Sequence, residues 1–385
     1  YFPLLNGVSR TLCHLTEFLC GRGDTVTVFQ PRYREATAAD REDGLRQVTF
    51  PSIPLLFYPE IKIPLPGPGV LGKKLGMLQP DIVHVATEGP LGWRAAKTAR
   101  RLHIPLVTSY HTNFSYYTAA YGTRFLAKYV WGYLKRFHNR SALTLVPTQS
   151  VADELAQRGF RHLKPWGRGV DCQCFHPQRR SDSLRQQLGA SDNVPLVVYA
   201  GRVAKEKNLG LLAEAFRILK SKLANVRLAV LGDGPYRRKL EENAPDDVFF
   251  AGHIPDNLMA GYMASADVML FPSCSETFGN VVLESLASGT PVAAFDVTGP
   301  RDIVEHGKTG RLATPDSADA LAEAAHELVT ADRTEREKMR HAARTYAETQ
   351  TWPAINAVAR NAYATVIGNT HRTGTKPKSV RSPRP

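Results

Sequence analysis

The chain has 385 residues, 43% of them hydrophobic, and a formal net charge of +13. That length suits two domains rather than one, and no run of eighteen apolar residues is present to cross a membrane as a helix. Its five cysteines, at 13, 20, 172, 174 and 274, form no Cys-x-x-Cys pair, which gives no support to zinc or dithiol redox motifs and agrees with a reducing cytoplasm.

The opening segment, Tyr1-Phe-Pro-Leu-Leu-Asn6-Gly7, reads as the loop after a first strand, with no strand before it. It lacks the basic start and apolar run of a secretory leader. Because the first strand of a doubly wound sheet is central, the chain is expected to be a fragment lacking that strand. A helix is read over Gly7 to Leu19 and a strand over Val26 to Phe29. Strands follow at Ile82 to Val85, Pro105 to Thr108 and Leu143 to Val146, with helices at Gly89 to Leu102 and Thr123 to His138. The polar stretch from Phe175 to Asn193, with Pro177 and Arg179-Arg180, reads as the seam between domains. Beyond it the plan repeats. Strands are expected at Leu196 to Ala200, Arg227 to Leu231, Val248 to Phe250, Val268 to Phe271 and Pro291 to Phe295. Helices are expected at Leu209 to Lys222, Pro235 to Glu242, Met259 to Ala264, Gly279 to Ala287 and Ala318 to Leu328.

Alternation of this kind implies parallel sheets with helices on both faces, and two such units give two doubly wound domains with ligands at the carboxyl ends of the strands. The expected division is residues 1–180 and 190–351. A last helix at 352–368 crosses back to pack on the first domain, and a disordered basic tail covers 369–385. Charge is unevenly placed. Residues 1–190 carry 25 Lys and Arg against 13 Asp and Glu, residues 191–370 carry 19 against 23, and residues 371–385 carry five basic and no acidic groups. One domain therefore faces something anionic, a membrane surface or nucleic acid.

The most informative segment is Pro272-Ser-Cys-Ser-Glu276-Thr-Phe278-Gly279-Asn280-Val-Val-Leu-Glu284. A buried strand leads in and a helix leads out. Glu276 falls in the turn, Glu284 lies one and a half turns inside, and the amides of Phe278, Gly279 and Asn280 stand where a helix leaves its first N–H groups unbonded. Such a cradle takes anions or hydroxyls, and flanking carboxylates suit a polyhydroxylated, phosphorylated ligand. Upstream, Gly201-Arg202-Val-Ala-Lys205-Glu206-Lys207-Asn208 sets Arg202 and Lys207 at the start of a helix, against its dipole. A diphosphate would supply the missing negative charge.

These two strings resemble the glycosyltransferase family 4 signatures, and the resemblance extends over nearly the whole chain. It implies an α/β GT-B fold, two Rossmann-like domains facing across a cleft, and a retaining transfer of a mannose-like or glucose-like sugar from a UDP- or GDP-sugar to a hydroxyl acceptor. By this resemblance Glu276 holds the sugar hydroxyls, Phe278, Gly279 and Asn280 offer amides, Glu284 holds the ribose, and Arg202 and Lys207 neutralise the leaving diphosphate. Ile254, in Gly252-His-Ile-Pro-Asp256, lies near the base, and Gly7, in Asn6-Gly7-Val-Ser-Arg-Thr, near the donor phosphate. In Tyr110-His111-Thr112-Asn113, His111 contacts the transferred sugar or supports developing charge, with Tyr110 and Asn113 on the acceptor side. Arg168 and Asp171, in Trp166-Gly-Arg-Gly-Val-Asp171, line the acceptor side or brace the hinge.

No Asp-x-Asp motif stands ready for a metal, so neither metal nor cofactor is expected. The aromatic and basic region 110–140, with Tyr129, Trp131, Tyr133, Lys128 and Arg136 among its members, suits an anionic membrane surface. This region and the Trp-Gly-Arg-Gly-Val-Asp segment most resemble the branch of sulfoquinovosyl and mannosyl transferases that glycosylate membrane glycolipids. The acceptor is accordingly a lipid-linked or saccharide hydroxyl, and the protein is peripheral at the inner face of the cytoplasmic membrane. A nucleotide-sugar epimerase on the same fold and a basic nucleic-acid-binding protein are the alternative readings. The first would release free nucleotide and an isomerised sugar; the second, which the acidic second half opposes, would bind with strong salt dependence.

Overall fold

The computed structural model of the chain describes residues 7–33, 44–55, 58–67, 69–111, 127–223 and 225–372. The described residues fall into two compact units: residues 168–354, and the remainder before 168 and from 355 onward.

In the first unit, helix α1 (Gly7–Cys20) leads to strand β1 (Val26–Pro31), which pairs in parallel with β2 (Leu45–Phe50). An antiparallel pair, β3 (Ser52–Leu55) and β4 (Tyr58–Pro64), is followed by α2 (Val70–Leu78). Strands β5 (Val83–Val85), β6 (Leu106–Ser109), β7 (Leu143–Val146) and β8 (Leu163–Pro165) then form a parallel sheet in sequential order. Helices α3 (Pro90–Arg101), α4 (Ala127–His138) and α5 (Gln149–Gln157) stand between them. The capping hydroxyl of Thr148 accepts from the Val151 amide, which fixes where α5 starts. Strands β2, β3, β4 and β8 were not anticipated. Prolines at 54, 59 and 64 break the signal of β3 and β4, β2 has only Val48 as an apolar residue between its ends, and β8 is three residues long.

The second unit opens with α6 (Asp182–Gln187) and carries one six-stranded parallel sheet. Its strands are β9 (Leu196–Ala200), β10 (Arg227–Leu231), β11 (Val248–Gly252), β12 (Val268–Phe271), β13 (Val292–Phe295) and β14 (Gly310–Ala313), in the spatial order 11-10-9-12-13-14. Counted from β9, that order is 3-2-1-4-5-6, the doubly wound arrangement. Strands β9, β12 and β13 are buried along their whole length, as both-face coverage requires. That coverage comes from α7 (Leu209–Lys222), α8 (Arg237–Glu241), α9 (Asp256–Ser265), α10 (Asn280–Ala287), α11 (Pro300–Ile303), α12 (Ala318–Thr330) and α13 (Arg333–Thr349). Two apolar clusters form the core, one holding Leu212, Phe216 and Leu321 and the other Met263, Leu283 and Ala343.

The boundary between units lies at Gly167/Arg168, ahead of the expected seam. The stretch 175–193 is polar at its surface yet anchored. Phe175 is fully buried in the second unit, and the Arg185 guanidinium reaches Asp267 and the Ser265 carbonyl from inside α6. The last helix, α14 (Trp352–Arg372), begins against Gly169 of the second unit. From Ile355 onward it belongs to the first, burying Ile355, Ala359, Tyr363 and Val366 with Leu15, Val107, Leu145 and Trp166. At roughly 1.5–3 kcal/mol per large buried apolar side chain, Ile355, Tyr363 and Val366 contribute on the order of 5 kcal/mol. The helix runs through Arg372, beyond the residue where the basic tail was expected to begin; residues 373–385 lie outside the described ones.

Candidate active site

The 3-2-1-4 order reverses direction between β9 and β12, and a doubly wound sheet binds its ligands beyond the carboxyl ends of the strands at that switch. The two strings singled out in the sequence follow these two strands. After β9 the chain runs through Gly201 and Arg202 to a 3₁₀ turn at Lys205–Lys207. After β12 it runs from Pro272 to Gly279 and into α10.

Side chains tie the two loops together. Lys207 Nζ lies 2.5 Å from Glu276 Oε1, each side chain about one-fifth exposed. Asn208 Nδ2 donates to the Pro272 carbonyl at 3.3 Å, and the Ser275 hydroxyl donates to the Glu206 carbonyl at 3.1 Å. The Ser273 hydroxyl donates to Glu276 Oε1 at 3.5 Å. Beneath them the buried Tyr199 hydroxyl donates to the Arg202 carbonyl, and burial followed by the carboxylates of Glu276 and Glu206 raises its pKa, keeping the phenol neutral.

The structure revises the electrostatic argument for Lys207. It stands in a 3₁₀ turn before Asn208, and α7 starts only at Leu209. Its charge is balanced by Glu276, sixty-nine residues away in sequence. Arg202 is the looser cation: 60% exposed, with Glu206 at 3.9 Å.

Gly279 caps α10 with φ +97°, a left-handed conformation that disfavours any side chain. No side chain caps this helix, and the amides of Phe278, Gly279 and Asn280 donate to no acceptor among the described residues. Glu284 is buried inside α10 at 6% exposure. Across the sheet, β10 ends at Leu231 and is followed by Gly232, whose Cβ position would lie 1.9 Å from the Gly201 carbonyl oxygen, so only glycine lets the strand ends come this close. Beyond β11, Ile254 packs partly buried on the second core, Pro255 precedes α9, and Asp256 is that helix's first residue. The switch point thus brings together Arg202, Lys207, Glu276 and the three amides, with Glu284 buried inside the helix that follows. The sequence reading missed Asn208, Ser273 and Ser275, which hold the loops in register and are legible only once β9 and β12 are neighbours.

Arg168 and Asp171, read as lining the acceptor side or bracing the hinge, lie at the start of the second unit. Asp171 Oδ1 accepts from the amides of Gln173 and Cys174 at 2.9 and 3.0 Å, closing a turn. Arg168 is buried, and burial lowers its pKa to about 10.

In the first unit Tyr110 is buried, its amide donating to the Leu145 carbonyl and its ring meeting His138 edge-on. His111, just past β6, is half-buried with Nε2 2.7 Å from the Ser109 hydroxyl. Gly7 begins α1 at the surface and its carbonyl accepts from Thr11 Oγ1 at 2.7 Å. Asn113 and the aromatic stretch to Phe125 lie outside the described residues.

Cations, unpaired amides and two carboxylates at a switch point can hold a phosphorylated, hydroxyl-rich ligand. Comparison with known proteins bears on what that ligand belongs to. Residues 5–173 match the family described as Glycosyltransferase Family 4, and residues 180–348 match Glycosyl transferases group 1. A GDP-mannose-dependent alpha-mannosyltransferase of Mycolicibacterium smegmatis is 33% identical over 96% of this chain and 96% of its own length. Sulfoquinovosyl transferase SQD2 of Arabidopsis thaliana is 31% identical over 94% of this chain and 71% of its own length. Among solved structures, HepE of Anabaena, crystallised with UDP, superposes with a TM-score of 0.72 at 21% identity, over 94% of this chain and 97% of that one, a likeness that speaks to fold alone. On these matches the chain belongs to the family 4, group 1 glycosyltransferases and has their two-domain GT-B fold.

Proposed function

We propose that this glycosyltransferase is a retaining, metal-independent enzyme. It transfers a mannose-like or glucose-like hexosyl group from a UDP- or GDP-sugar to a hydroxyl group of a membrane glycolipid. The observation that carries the donor half is the Lys207–Glu276 pair beside the open amides of Phe278, Gly279 and Asn280. A sugar diphosphate would accept from those amides and draw Lys207 and Arg202 to its phosphates, leaving Glu276 to accept from sugar hydroxyls. Stabilising the departing diphosphate with fixed cations and amides serves the place of greatest charge development. In the retaining route the acceptor attacks the face the diphosphate leaves, and a phosphate oxygen of the leaving group takes the acceptor proton.

The acceptor half is supported by the names of the relatives and by α4. Tyr129 and Tyr133 are exposed on it beside Lys128, Arg136 and Trp93, which line one concavity. Aromatics interleaved with cations suit an anionic lipid surface. Among the described residues no helix is long and apolar enough to cross a membrane, and a peripheral place at the cytoplasmic face fits the proposal.

The test incubates the protein with UDP- and GDP-linked glucose and mannose and vesicles holding diacylglycerol or phosphatidylinositol, with and without EDTA. Lipid product with the donor's anomeric configuration, formed equally with EDTA, is expected. Free nucleotide with isomerised sugar and no lipid product would replace this reading with an epimerase.

A further inference from the structure

Glu88 stands in the loop between β5 and α3, at the carboxyl end of the first unit's four-stranded parallel sheet, the edge where such sheets receive ligands. Its side chain is only 12% exposed, and α4 grips the residue twice. The His138 ring, fully buried in the last turn of α4, lies 3.2 Å from Glu88 Oε1 through Nε2 and 3.0 Å from Thr108 Oγ1 through Nδ1. A carboxylate only accepts, so His138 donates through Nε2. Five residues earlier on the same helix, the Tyr133 hydroxyl donates to the Glu88 backbone carbonyl.

The grip leaves half of the carboxylate unused. Among the described residues Glu88 Oε2 has no hydrogen-bond partner. A charge so largely withdrawn from water needs its lone pairs filled, and one hydrogen bond does not fill them. Packing alone does not call for the charge, because the amide oxygen of a glutamine would accept from His138 equally well. Local choices that cost stability in this way concentrate where a ligand binds.

The surroundings indicate which ligand. Tyr133 lines the concavity on α4 together with Trp93, Lys128, Tyr129 and Arg136, its ring stacked on Trp93 at 5.5 Å. Arg140 lies 4.7 Å over the Trp93 ring, and its pKa is lowered by burial and then by the like charges of Arg136 and Arg100. No carboxylate among the described residues pairs with Lys128, Arg136 or Arg140. Crowded, unpaired cations among aromatics draw lipid phosphates to this rim. Glu88 is one hydrogen bond further in, where a lone carboxylate repels phosphate and accepts from hydroxyls.

We infer that Glu88 is an acceptor-binding residue: its open carboxylate oxygen accepts from a hydroxyl of the lipid seated on α4, with the side chain held in place by His138 and the backbone by Tyr133. This rests on the lipid acceptor proposed above and names the residue that would take hold of its hydroxyl.

The experiment uses the full chain with phosphatidylcholine and phosphatidic acid vesicles carrying diacylglycerol, phosphatidylinositol or neither. Carbodiimide labelling of Glu88, read by peptide mapping, should be slowed by a hydroxyl-bearing lipid and not by the carrier vesicles. Glu88→Gln, checked for folding by its unfolding transition, should raise acceptor KM about ten- to a hundredfold, the span of one hydrogen bond to a charged group. Its donor KM and its sedimentation with vesicles should match the parent, which a general loosening of α4 would not allow. Equal labelling of Glu88 in all three vesicles, a parental acceptor KM in Glu88→Gln, or donor and acceptor KM rising together overturns the inference and leaves transfer to lipid standing. Protection of Glu88 by a hydroxyl-bearing lipid in a protein that transfers no hexose would instead overturn the functional reading and leave the inference in place.

Discussion

The sharpest consequence of the site lies in opposing the two members of the Lys207–Glu276 pair. In the free protein each neutralises the other at 2.5 Å, with about four-fifths of each side chain covered. Lys207→Ala leaves the Glu276 carboxylate with Ser273 Oγ at 3.5 Å as its remaining side-chain hydrogen-bond partner among the described residues. The cost falls between that of an exposed and a fully buried broken pair, about 2 kcal/mol, which for a unit of this size lowers Tm by roughly 4–8 °C. The same change removes a charged donor from the diphosphate, worth about 1.5–3 kcal/mol, or roughly ten- to a hundredfold in Kd. At a nucleotide concentration about 100 times the parent Kd, binding stabilises the parent by about 2.7 kcal/mol, whereas a variant about thirtyfold weaker retains only about 0.9 kcal/mol. The UDP- or GDP-induced thermal shift therefore shrinks to about a third. Glu276→Gln acts in the other direction. It frees Lys207, so the nucleoside diphosphate alone binds at least as tightly as to the parent, while hexosyl transfer is lost with the sugar's acceptor. Differential scanning fluorimetry with UDP, GDP and their sugars reads both effects. Equal nucleotide shifts in the parent and in Lys207→Ala would refute the placement of the diphosphate at this lysine.

Three further outcomes are expected. The neutral His84, with its folded pKa at about 4 against an ordinary 6.5, makes the unfolded chain take up a proton that the folded one refuses. Stability is thus lost as pH falls from 6.5 to 4, by up to about 3 kcal/mol, and the slope of unfolding free energy against pH should flatten in His84→Gln. A parent and variant with equal slopes would show that the ring is not held neutral. Cys274, whose thiol is pushed up to about 12 by burial and then by Asp316, should react with iodoacetamide at pH 8 at least about a hundredfold more slowly than a free thiol. Peptide mapping finding it among the first cysteines labelled would contradict that environment. Gly232→Ala, with its Cβ 1.9 Å from the Gly201 carbonyl at φ +135°, should cost at least about 3 kcal/mol. An unfolding transition within a degree of the parent would show that the strand ends can separate freely.

Much of the second unit was legible because its strands are short, continuous apolar runs ended by glycine or proline, and its switch-point motif lies on contiguous residues. The first unit was harder to read. Its β2 strand is polar between its ends and the short β3–β4 pair is broken by proline, and the polar residues of 175–193 concealed that Phe175 and Arg185 anchor the second core. What no local pattern could give were the pairings across sequence. Glu276 meets Lys207, and His84 meets Tyr363. Nothing in the neighbourhood of His84 or Tyr363 marks either one, because their meaning arises only when α14 is laid against β5. His111 was singled out because it follows a strand tip; Ser109, 2.7 Å from its ring, was not.

The course of α14 has a practical corollary for anyone dissecting the protein. A single cut cannot yield both halves intact. Expressing residues 168–354 keeps the six-stranded sheet whole, but a contiguous piece ending at Gly167 forfeits Ile355, Ala359, Tyr363 and Val366 and lays bare the apolar strip of Leu15, Val107 and Leu145 that they cover. Such a truncation should precipitate or bind hydrophobic dyes unless the terminal helix is grafted back, by circular permutation or as a separately added peptide.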